Sequence, residues 1–417
     1  MKDELFNRIA AFYRDSRDFN GFYFVGDNEE EREAAIALVR DGLVQVVVSE
    51  VDYPNPHIRP WPSRRTVDEQ VESISELDGE RYGVCLYPTP IALKKPGMKR
   101  AHRGQPFRLA MAKGRGALEL AYFNFDVLEQ YRNDPRFTFQ FTDFGVTTGI
   151  GDEAYLDAAE PEHDKTSMSH IGFAYDLSQY KPDDPTSPII RRVCAFYCDL
   201  AKLSPVHQQR WRTYQIISET GLNPHPVWWG QQMGHWADGL GPFARFFFEL
   251  RTWNEFFERA HGIALLKSTD RPREFGWILR PSQSEWEGFI HLLDKLLSEN
   301  LRNDALDAAG APKLNEAGQN LGTLNRLEAL LLARRAKPEG VKEVLAPMRQ
   351  VRNARHRPAH ALRENVTDRT FVRRQVELLE RINQSLELLR YFWQSHPANR
   401  DWKEPEYVAD GAPVYRF

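Results

Sequence analysis

The sequence reads Arg349-Gln-Val-Arg352-Asn-Ala-Arg355-His356-Arg357-Pro358-Ala359-His360 near the end of a chain of 417 residues, and this stretch decides how the rest is interpreted. Between Arg349 and Arg374 there are eight arginines against one glutamate and one aspartate, a net charge of +6, whereas the whole chain carries −4. Such a concentration of positive charge is typical of either a solvated helix face or a phosphate-binding site. The two histidines, four residues apart within it, favour the phosphate-binding interpretation.

Amphipathic helices are predicted on both sides of this stretch. Pro338 begins a helix that runs toward Arg352, and Thr367 or Asp368 caps a later helix that ends before Pro397. The apolar face of this later helix consists of Phe371, Val372, Val376, Leu379, Ile382, Leu386 and Leu389.

Two further helices are predicted upstream. Ser282 and Glu285 have the spacing of a capping box, and the helix after them carries the apolar residues Trp286, Phe289, Ile290, Leu293, Leu296 and Leu297. A second helix is expected from Thr323 to Ala336 because Leu324, Leu327, Leu330 and Leu331 share one face. Four amphipathic helices with short connections predict an antiparallel bundle over residues 277–417, followed by an aromatic tail from Trp402 to Phe417.

The first 65 residues predict a small unit of helices and strands. Leu5, Ile9 and Phe12 indicate one helix, and a second begins at Asp27 or Asn28. The β-branched segment 43–48 predicts a strand after them. This order of elements has two interpretations. It can form a winged-helix unit, which would bind nucleic acid, or it can be a plain α+β start. Both interpretations stay open, with the plain α+β start favoured.

Residues 66–276 predict a mixed α+β region of unknown type. Strands are expected over 83–87, 107–112 and 117–123, with Gly114-Arg115-Gly116 as the hairpin turn between the last two. A half-buried strand is also expected where Phe137, Phe139 and Phe141 alternate with polar residues. Helices follow from about residue 188, the last of them from Phe243 to Ala264. The fold class is therefore α+β, with a mixed N-terminal region before a C-terminal four-helix bundle.

Composition excludes several classes of protein. Hydrophobic residues make up 41% of the chain, yet no apolar run approaches the roughly 18–20 residues of a membrane span. The polar segment Met1 to Leu5 does not have the pattern of a signal peptide, so we expect a cytoplasmic protein without a membrane partner. Three cysteines form no disulfide framework, and Cys194 and Cys198 are interpreted as buried thiols. Without a credible set of ligands, neither a metal nor another cofactor is predicted.

The basic stretch resembles the signature of the HEPN superfamily, an arginine followed after four to six residues by a histidine. Here Arg355 and His360 are separated by four residues, and His356 is the polar residue that often follows the arginine. The position between the last two long helices of a four-helix bundle fits as well, and the resemblance covers roughly residues 282–396. Two departures are Pro358 inside the motif and Arg352-Asn353, a second possible start at longer spacing. The identity of the key arginine therefore stays open.

The resemblance implies a metal-independent endoribonuclease, typically an antiviral or toxin-like effector and a homodimer whose two motifs form one active site. The chemistry is consistent with this, because a histidine with a pKa of about 6.5 can take the proton of the RNA 2′-hydroxyl, and guanidinium groups stabilise the phosphate charge. DNA lacks that hydroxyl, so RNA is the predicted substrate. The candidate catalytic residues are Arg355, His360 and His356. The candidate RNA-binding residues are Arg349, Arg352, Asn353, Arg357 and Arg363.

Other interpretations remain. Cations near the end of a helix are stabilised by its dipole without any ligand, so the bundle can instead be a non-catalytic module that binds nucleic acid or docks a partner. If it is a nuclease, the N-terminal region is expected to regulate it, in response to an activating ligand or phage component that the sequence does not identify. Dimerisation would bring two basic surfaces together, and Tyr391-Phe392-Trp393 is the candidate apolar contact that offsets their repulsion.

Overall fold

The computed structural model describes residues 1–15, 19–48, 55–58, 65–77, 83–93, 102–157, 168–179, 181, 183–184, 190–218, 221–235, 239–356, 364–405 and 408. These residues form a mixture of helices and antiparallel sheets, with a helical C-terminal region. The chain divides into two compact units. Unit 1 comprises Met1–Val127, Gly149–Ile171 and Cys194–Glu219, and unit 2 comprises Leu128–Thr148, Gly172–Val193 and Thr220–Phe417. The sequence-based boundaries after residues 65 and 276 stay a prediction.

Unit 1 begins with alternating helices and strands: α1 (Lys2–Asp15), β1 (Phe22–Phe24), α2 (Glu29–Arg40), β2 (Val44–Val48), α3 (Val67–Ser75) and β3 (Val84–Pro88). The strands form an antiparallel sheet in the order β1-β3-β2, in which Leu86 is paired with both Phe22 and Val46. The two helices and the strand predicted in the first 48 residues are confirmed. Because α3 separates β2 from β3 in the chain, these two strands are not joined by a short hairpin, and the winged-helix interpretation stays a hypothesis.

The local sequence explains why this part of unit 1 folds as it does. The side chain of Asn28 accepts a hydrogen bond from the backbone N–H of Glu30 at 2.9 Å, and acidic residues fill the first turn of α2 at the positive end of its dipole. Apolar side chains from the helices and the sheet form a common core: Leu5, Ile9, Ala35, Leu38, Val46, Ile74 and Leu86.

The segment after residue 105 differs from the prediction. It forms a helix, α4 (Pro106–Ala112), so the expected strand over 107–112 is wrong. Pro106 suits the first turn of a helix because its missing N–H would have no partner there. The side-chain oxygen of Gln208 accepts hydrogen bonds from the backbone N–H groups of Phe107 and Arg108, which are otherwise unpaired at a helix start. Gly114, with φ of +101°, therefore follows a helix and does not belong to a hairpin turn.

A second sheet contains six strands within the described residues: β4 (Leu120–Asn124), β5 (Phe137–Phe141), β6 (Gly145–Ile150), β7 (Met168–Asp176), β8 (Ile190–Phe196) and β9 (Leu222–Pro224). The order is β4-β8-β7-β6-β5, and β9 pairs antiparallel with β7. The predicted alternation along β5 is confirmed, because its three phenylalanines are buried and the residues between them are exposed. The helical segment expected from about residue 188 is wrong over Ile190–Phe196, which is strand β8. Short helices accompany the sheet in the chain: α5 (Glu129–Asn133), α6 (Asp152–Leu156), α7 (Tyr197–Lys202), α8 (Pro205–Tyr214) and α9 (Pro226–Gln232).

Unit 2 ends in a helical region made of α10 (Pro242–His261), α11 (Gln283–Leu296), α12 (Asn303–Ala308), α13 (Thr323–Ala333), α14 (Pro338–His356) and α15 (Thr370–Gln394). The apolar faces predicted for α11 and α13 are buried throughout, and that of α15 is buried except for the partly exposed Val376. α14 packs against α11, α13 and α15. Within the described part of the chain, no helix is both long enough and apolar enough to span a lipid bilayer.

Helix α10 packs extensively along α15, although the sequence assigned it to the preceding region. The side chains of Glu249 and Arg390 form an ion pair at 2.6 Å between the two helices, and both are fully buried. The side-chain amide of Asn383 donates a hydrogen bond to the carbonyl of Pro242 at 2.8 Å. Buried charges of this kind are tolerated only when they are paired, so these contacts fix α10 against α15.

The capping box predicted at the start of α11 is only half formed. The Ser282 hydroxyl accepts a hydrogen bond from the backbone N–H of Glu285 at 3.4 Å. The Glu285 carboxylate does not return this bond to Ser282, because it accepts one from the Arg132 guanidinium at 2.8 Å. The sequence pattern predicts that the Glu285 carboxylate belongs to a capping box, whereas in the structure it forms an ion pair with Arg132 of α5.

Candidate functional site

Helix α14 carries five of the eight residues proposed from the sequence for catalysis or RNA binding. Arg349, Arg352, Asn353 and Arg355 lie on its last two turns, and His356 is its final residue. For His356 only the helical backbone is described. The other three proposed site residues, Arg357, His360 and Arg363, lie outside the described residues, as does Pro358.

A groove of about 690 Å³ lies between α11, α14 and α15. Four of the residues that line it are cations: Lys342 and Arg349 from α14, and Arg374 and Arg381 from α15. Glu377 is the one acidic residue in its lining. The groove therefore carries a net charge of +3 within the described residues, and its size suits a ligand or part of a polymer chain.

The spacing of these cations follows from helix geometry. Lys342 and Arg349 are seven residues apart on α14, and so are Arg374 and Arg381 on α15. Seven residues complete nearly two turns and rise about 10 Å, so each pair presents two charges from one face of its helix. The amide side chains of Gln350 and Asn353 line the same groove and can donate hydrogen bonds to an anion.

The four cations differ in how far their charge is already compensated. A nitrogen of Arg349 lies 2.6 Å from a carboxylate oxygen of Glu328. The guanidinium of Arg374 lies 4.7 Å from the centre of the Trp286 ring, a cation–π contact that leaves its charge in place. Within the described part of the chain, Lys342 and Arg381 have no carboxylate partner. Lys342 and Arg381 are thus available to an anion, and Arg374 also forms no ion pair within the described residues, although the charge of the Asp368 carboxylate acts on it.

The floor of the groove is apolar. Trp286 and Ile290 come from α11, and Val351 and Leu378 come from the helices on either side. The Trp286 ring stacks on Phe371 at 5.5 Å with an interplanar angle of 9°, and only 9% of the residue is exposed. Little of the indole is left to stack on a base, so the groove is suited to recognition of charge.

Arg355, the predicted catalytic arginine, does not line the groove. Its guanidinium lies 2.8 Å from a carboxylate oxygen of Asp294 on α11 and also pairs with Glu299. The Asp294 side chain is 1% exposed and accepts a further hydrogen bond from the Ser298 hydroxyl. The hydrogen bonds from Arg355 to Asp294, and next those to Glu299, raise the pKa of Arg355. It therefore stays charged and connects α14 to α11.

Arg352 occupies a separate position. It is partly buried and lies beside Gly322, the residue that precedes α13. Of the RNA-binding residues predicted from the sequence, the structure thus brings Arg349 and Asn353 into one groove and places Arg352 elsewhere. Sequence reasoning missed Lys342, Arg374 and Arg381 as members of the site, although the spacing of seven residues between Lys342 and Arg349 was visible in the sequence.

Among the residues that the structure describes, no three His, Cys, Asp or Glu side chains are grouped closely enough to hold a metal ion. Comparisons with known protein families, with curated proteins and with solved structures find no match to this chain. The candidate function therefore depends on the groove and on the sequence motif that follows it.

Proposed function

We propose that the helical region of unit 2 is a HEPN-like four-helix bundle that binds RNA in the groove between α11, α14 and α15. In this proposal the chain is a metal-independent endoribonuclease, and the motif from Arg355 to His360, directly after the groove-lining part of α14, carries the catalytic groups. Its role would be that of a toxin-like or antiviral effector regulated by the N-terminal region.

The observation that carries the proposal is the convergence of cations from two helices on one groove. Lys342 and Arg381 have no carboxylate partner within the described residues, and Arg374 forms no ion pair there although the charge of Asp368 acts on it, so the groove attracts phosphate groups. Since Trp286 is nearly covered, binding would rely on the RNA backbone and would tolerate many sequences.

The proposed reaction needs a base, an acid and a group that stabilises charge on the phosphate. His360 or His356 would take the proton of the 2′-hydroxyl, and the second imidazole would protonate the leaving 5′-oxygen. The attack forms a bond between the 2′-oxygen and phosphorus and breaks the bond to the 5′-oxygen, which gives a 2′,3′-cyclic phosphate. Arginines of the motif would stabilise the negative charge that develops on the phosphate oxygens.

The groove and the motif can be tested together by measuring RNA binding and RNA cleavage in the same samples. The double variant Lys342→Gln/Arg381→Gln removes two groove charges without touching the motif. It is expected to weaken RNA binding and to slow cleavage at subsaturating RNA. If binding and cleavage both match the wild type, RNA does not use the groove, and the proposal fails.

A second function is favoured by the contacts of Arg355. Two carboxylates hold its guanidinium, which fits a residue that stabilises the bundle better than one that is open to a substrate phosphate. The alternative is therefore a module that binds RNA in the groove without cleaving it. This alternative also predicts that the groove variants bind RNA more weakly. It differs from the nuclease proposal because the wild-type chain would not cleave RNA.

Homodimerisation is part of the first proposal, because one motif supplies at most two imidazoles and a two-fold axis would double them. Trp393 is 1% exposed and packs 4.9 Å from the Phe257 ring, so it is not available for the dimer contact expected from the sequence. Tyr391, which is 45% exposed, and the partly exposed Phe392 remain as candidates, and Leu388, which is 52% exposed one turn earlier on α15, adds to the same surface. Light scattering of the double variant Leu388→Gln/Tyr391→Gln tests this dimer contact. If these residues hold the dimer, the variant should have the mass of a monomer. A dimer mass equal to that of the wild type would exclude these residues from the interface.

A further inference from the structure

Unit 1 contains a cavity of about 380 Å³ whose lining is basic. Arg14 of α1, Arg108 of α4 and Lys202 of α7 reach it from three different helices, and His102 lies beside them. None of its lining residues is acidic within the described part of the chain. A concave surface with three cations and no carboxylate favours an anion.

The charges in this cavity are only partly compensated. No carboxylate in the described residues pairs with Arg14 or Arg108; the Nε of Arg14 donates to the backbone carbonyl of Ala10 at 2.8 Å, which anchors the side chain. Lys202 is 3.7 Å from Asp199, but that carboxylate also lies 3.6 Å from His170. Burial, and after it the charge of Arg108, lowers the pKa of His102.

The walls of the cavity are held in place by contacts between helices. The Tyr13 hydroxyl donates a hydrogen bond to the carbonyl of Met111 at 2.6 Å, which joins α1 to α4. α4 also packs against α7, which carries Cys198 and Lys202. Because Tyr13 is 5% exposed, the cavity has a firm wall, and its cations are brought together before any ligand arrives.

We propose that unit 1 binds a small phosphorylated molecule in this cavity, with Arg14, Arg108 and Lys202 around the phosphoryl group. Arginine forks contact phosphate oxygens in pairs, and lysine adds a point charge. The volume lies near the lower end of the roughly 300–1,000 Å³ typical of ligand pockets, so the ligand is a small metabolite and not a polymer. This site is independent of the RNA groove, and its failure would leave the proposed function untouched.

Cys198 offers a reporter inside the cavity itself. Cys85 and Cys194 are both fully buried, whereas Cys198 is partly exposed and lines the cavity. The rate of Cys198 alkylation in the native full-length chain therefore reports on occupancy at this site, and binding of the same probe to the groove in unit 2 would not affect it. The variant Cys198→Ser supplies the background rate.

The experiment measures this rate against the concentration of sodium pyrophosphate, AMP or ADP. Protection by pyrophosphate alone would show that the phosphoryl group suffices, and stronger protection by a nucleotide would show that the rest of the molecule also contributes. Arg108→Gln should raise the half-protecting concentration by about tenfold or more, because it removes a charge-assisted contact. Arg40→Gln, which changes an exposed arginine of α2 outside the cavity, should not. If no probe protects Cys198 at millimolar concentration, or if both variants respond alike, the proposal is wrong.

Discussion

The guanidinium of Arg355 lies 2.8 Å from the carboxylate of Asp294, a side chain that is 1% exposed, so the arginine of the proposed catalytic motif is held by an internal ion pair. Replacing Arg355 by Ala leaves the Asp294 carboxylate buried, with a hydrogen bond from the Ser298 hydroxyl. We expect a loss of about 2 kcal/mol in the free energy of unfolding, between the values for exposed and fully buried pairs. Denaturant unfolding measures it.

A double-mutant cycle separates this coupling from other effects. Arg355→Ala/Asp294→Ala is expected to cost clearly less than the sum of the two single variants, because the second substitution removes the unpaired charge. Additive losses would show that the pair contributes nothing to stability. The same measurement is needed before any loss of RNA cleavage in an Arg355 variant is assigned to chemistry.

Removing a cation from the groove and removing its carboxylate should change the affinity for RNA in opposite directions. Lys342→Gln/Arg381→Gln should weaken RNA binding and reduce the slope of log affinity against log salt by about 1.4, if each cation meets one phosphate of a single strand. Glu377→Gln should strengthen binding, because it removes the one carboxylate of the lining. Electrophoretic mobility shifts over a range of salt concentrations measure both quantities.

Matched controls exist for these variants. Lys337 and Arg400 are exposed and lie outside the groove, so Lys337→Gln/Arg400→Gln changes the net charge of the chain by the same amount as the groove pair. An equal loss of affinity in this control would mean that only the overall charge matters, and the groove would lose its role as the binding site.

Acid sensitivity is predicted from His225, whose pKa is lowered to about 4 by burial. Its Nδ1 accepts a hydrogen bond from the backbone N–H of Val227 at 3.2 Å, and its ring stacks on Phe144 at 4.4 Å, so the neutral form fits the fold. The unfolded chain binds the proton more readily, with a pKa of about 6.5. Stability is therefore complete above pH 6.5 and falls as the pH drops toward 4, by about 2 kcal/mol at pH 5.

His225 is the N-cap of α9, and the variant His225→Asn tests this assignment because asparagine is also an effective N-cap but does not titrate in this range. Its unfolding free energy should change less between pH 8 and pH 5 than that of the wild type, by about the amount attributed to His225. Equal pH dependence in the two proteins would show that other groups are responsible.

Much of the helical region was predictable, because helix periodicity is a local property of the sequence. The apolar stripes that begin at Trp286, Leu324 and Phe371 correctly located α11, α13 and α15. The strand β5 was equally visible from its alternating phenylalanines. In each case the residues whose pattern determines the helix or strand lie within that helix or strand.

The errors arose where distant residues decide the structure. The helix α4 starts where Gln208, about 100 positions away in the chain, accepts hydrogen bonds from its first N–H groups. Asp294 and Arg355 are 61 positions apart, so the ion pair that restrains the motif has no local signature. For the same reason the sequence led us to propose Arg349 and Asn353 as RNA-binding residues but could not group them with Lys342 and Arg381.

RNA cleavage in the presence of EDTA tests the central claim most directly. The wild-type chain should cleave single-stranded RNA, leave DNA of the same sequence intact and produce 2′,3′-cyclic phosphate ends. His360→Ala should lose this activity, while His235→Ala, which changes an exposed histidine outside the motif, should retain it. Undiminished cleavage by His360→Ala, or cleavage that requires added divalent metal, would contradict the proposed mechanism.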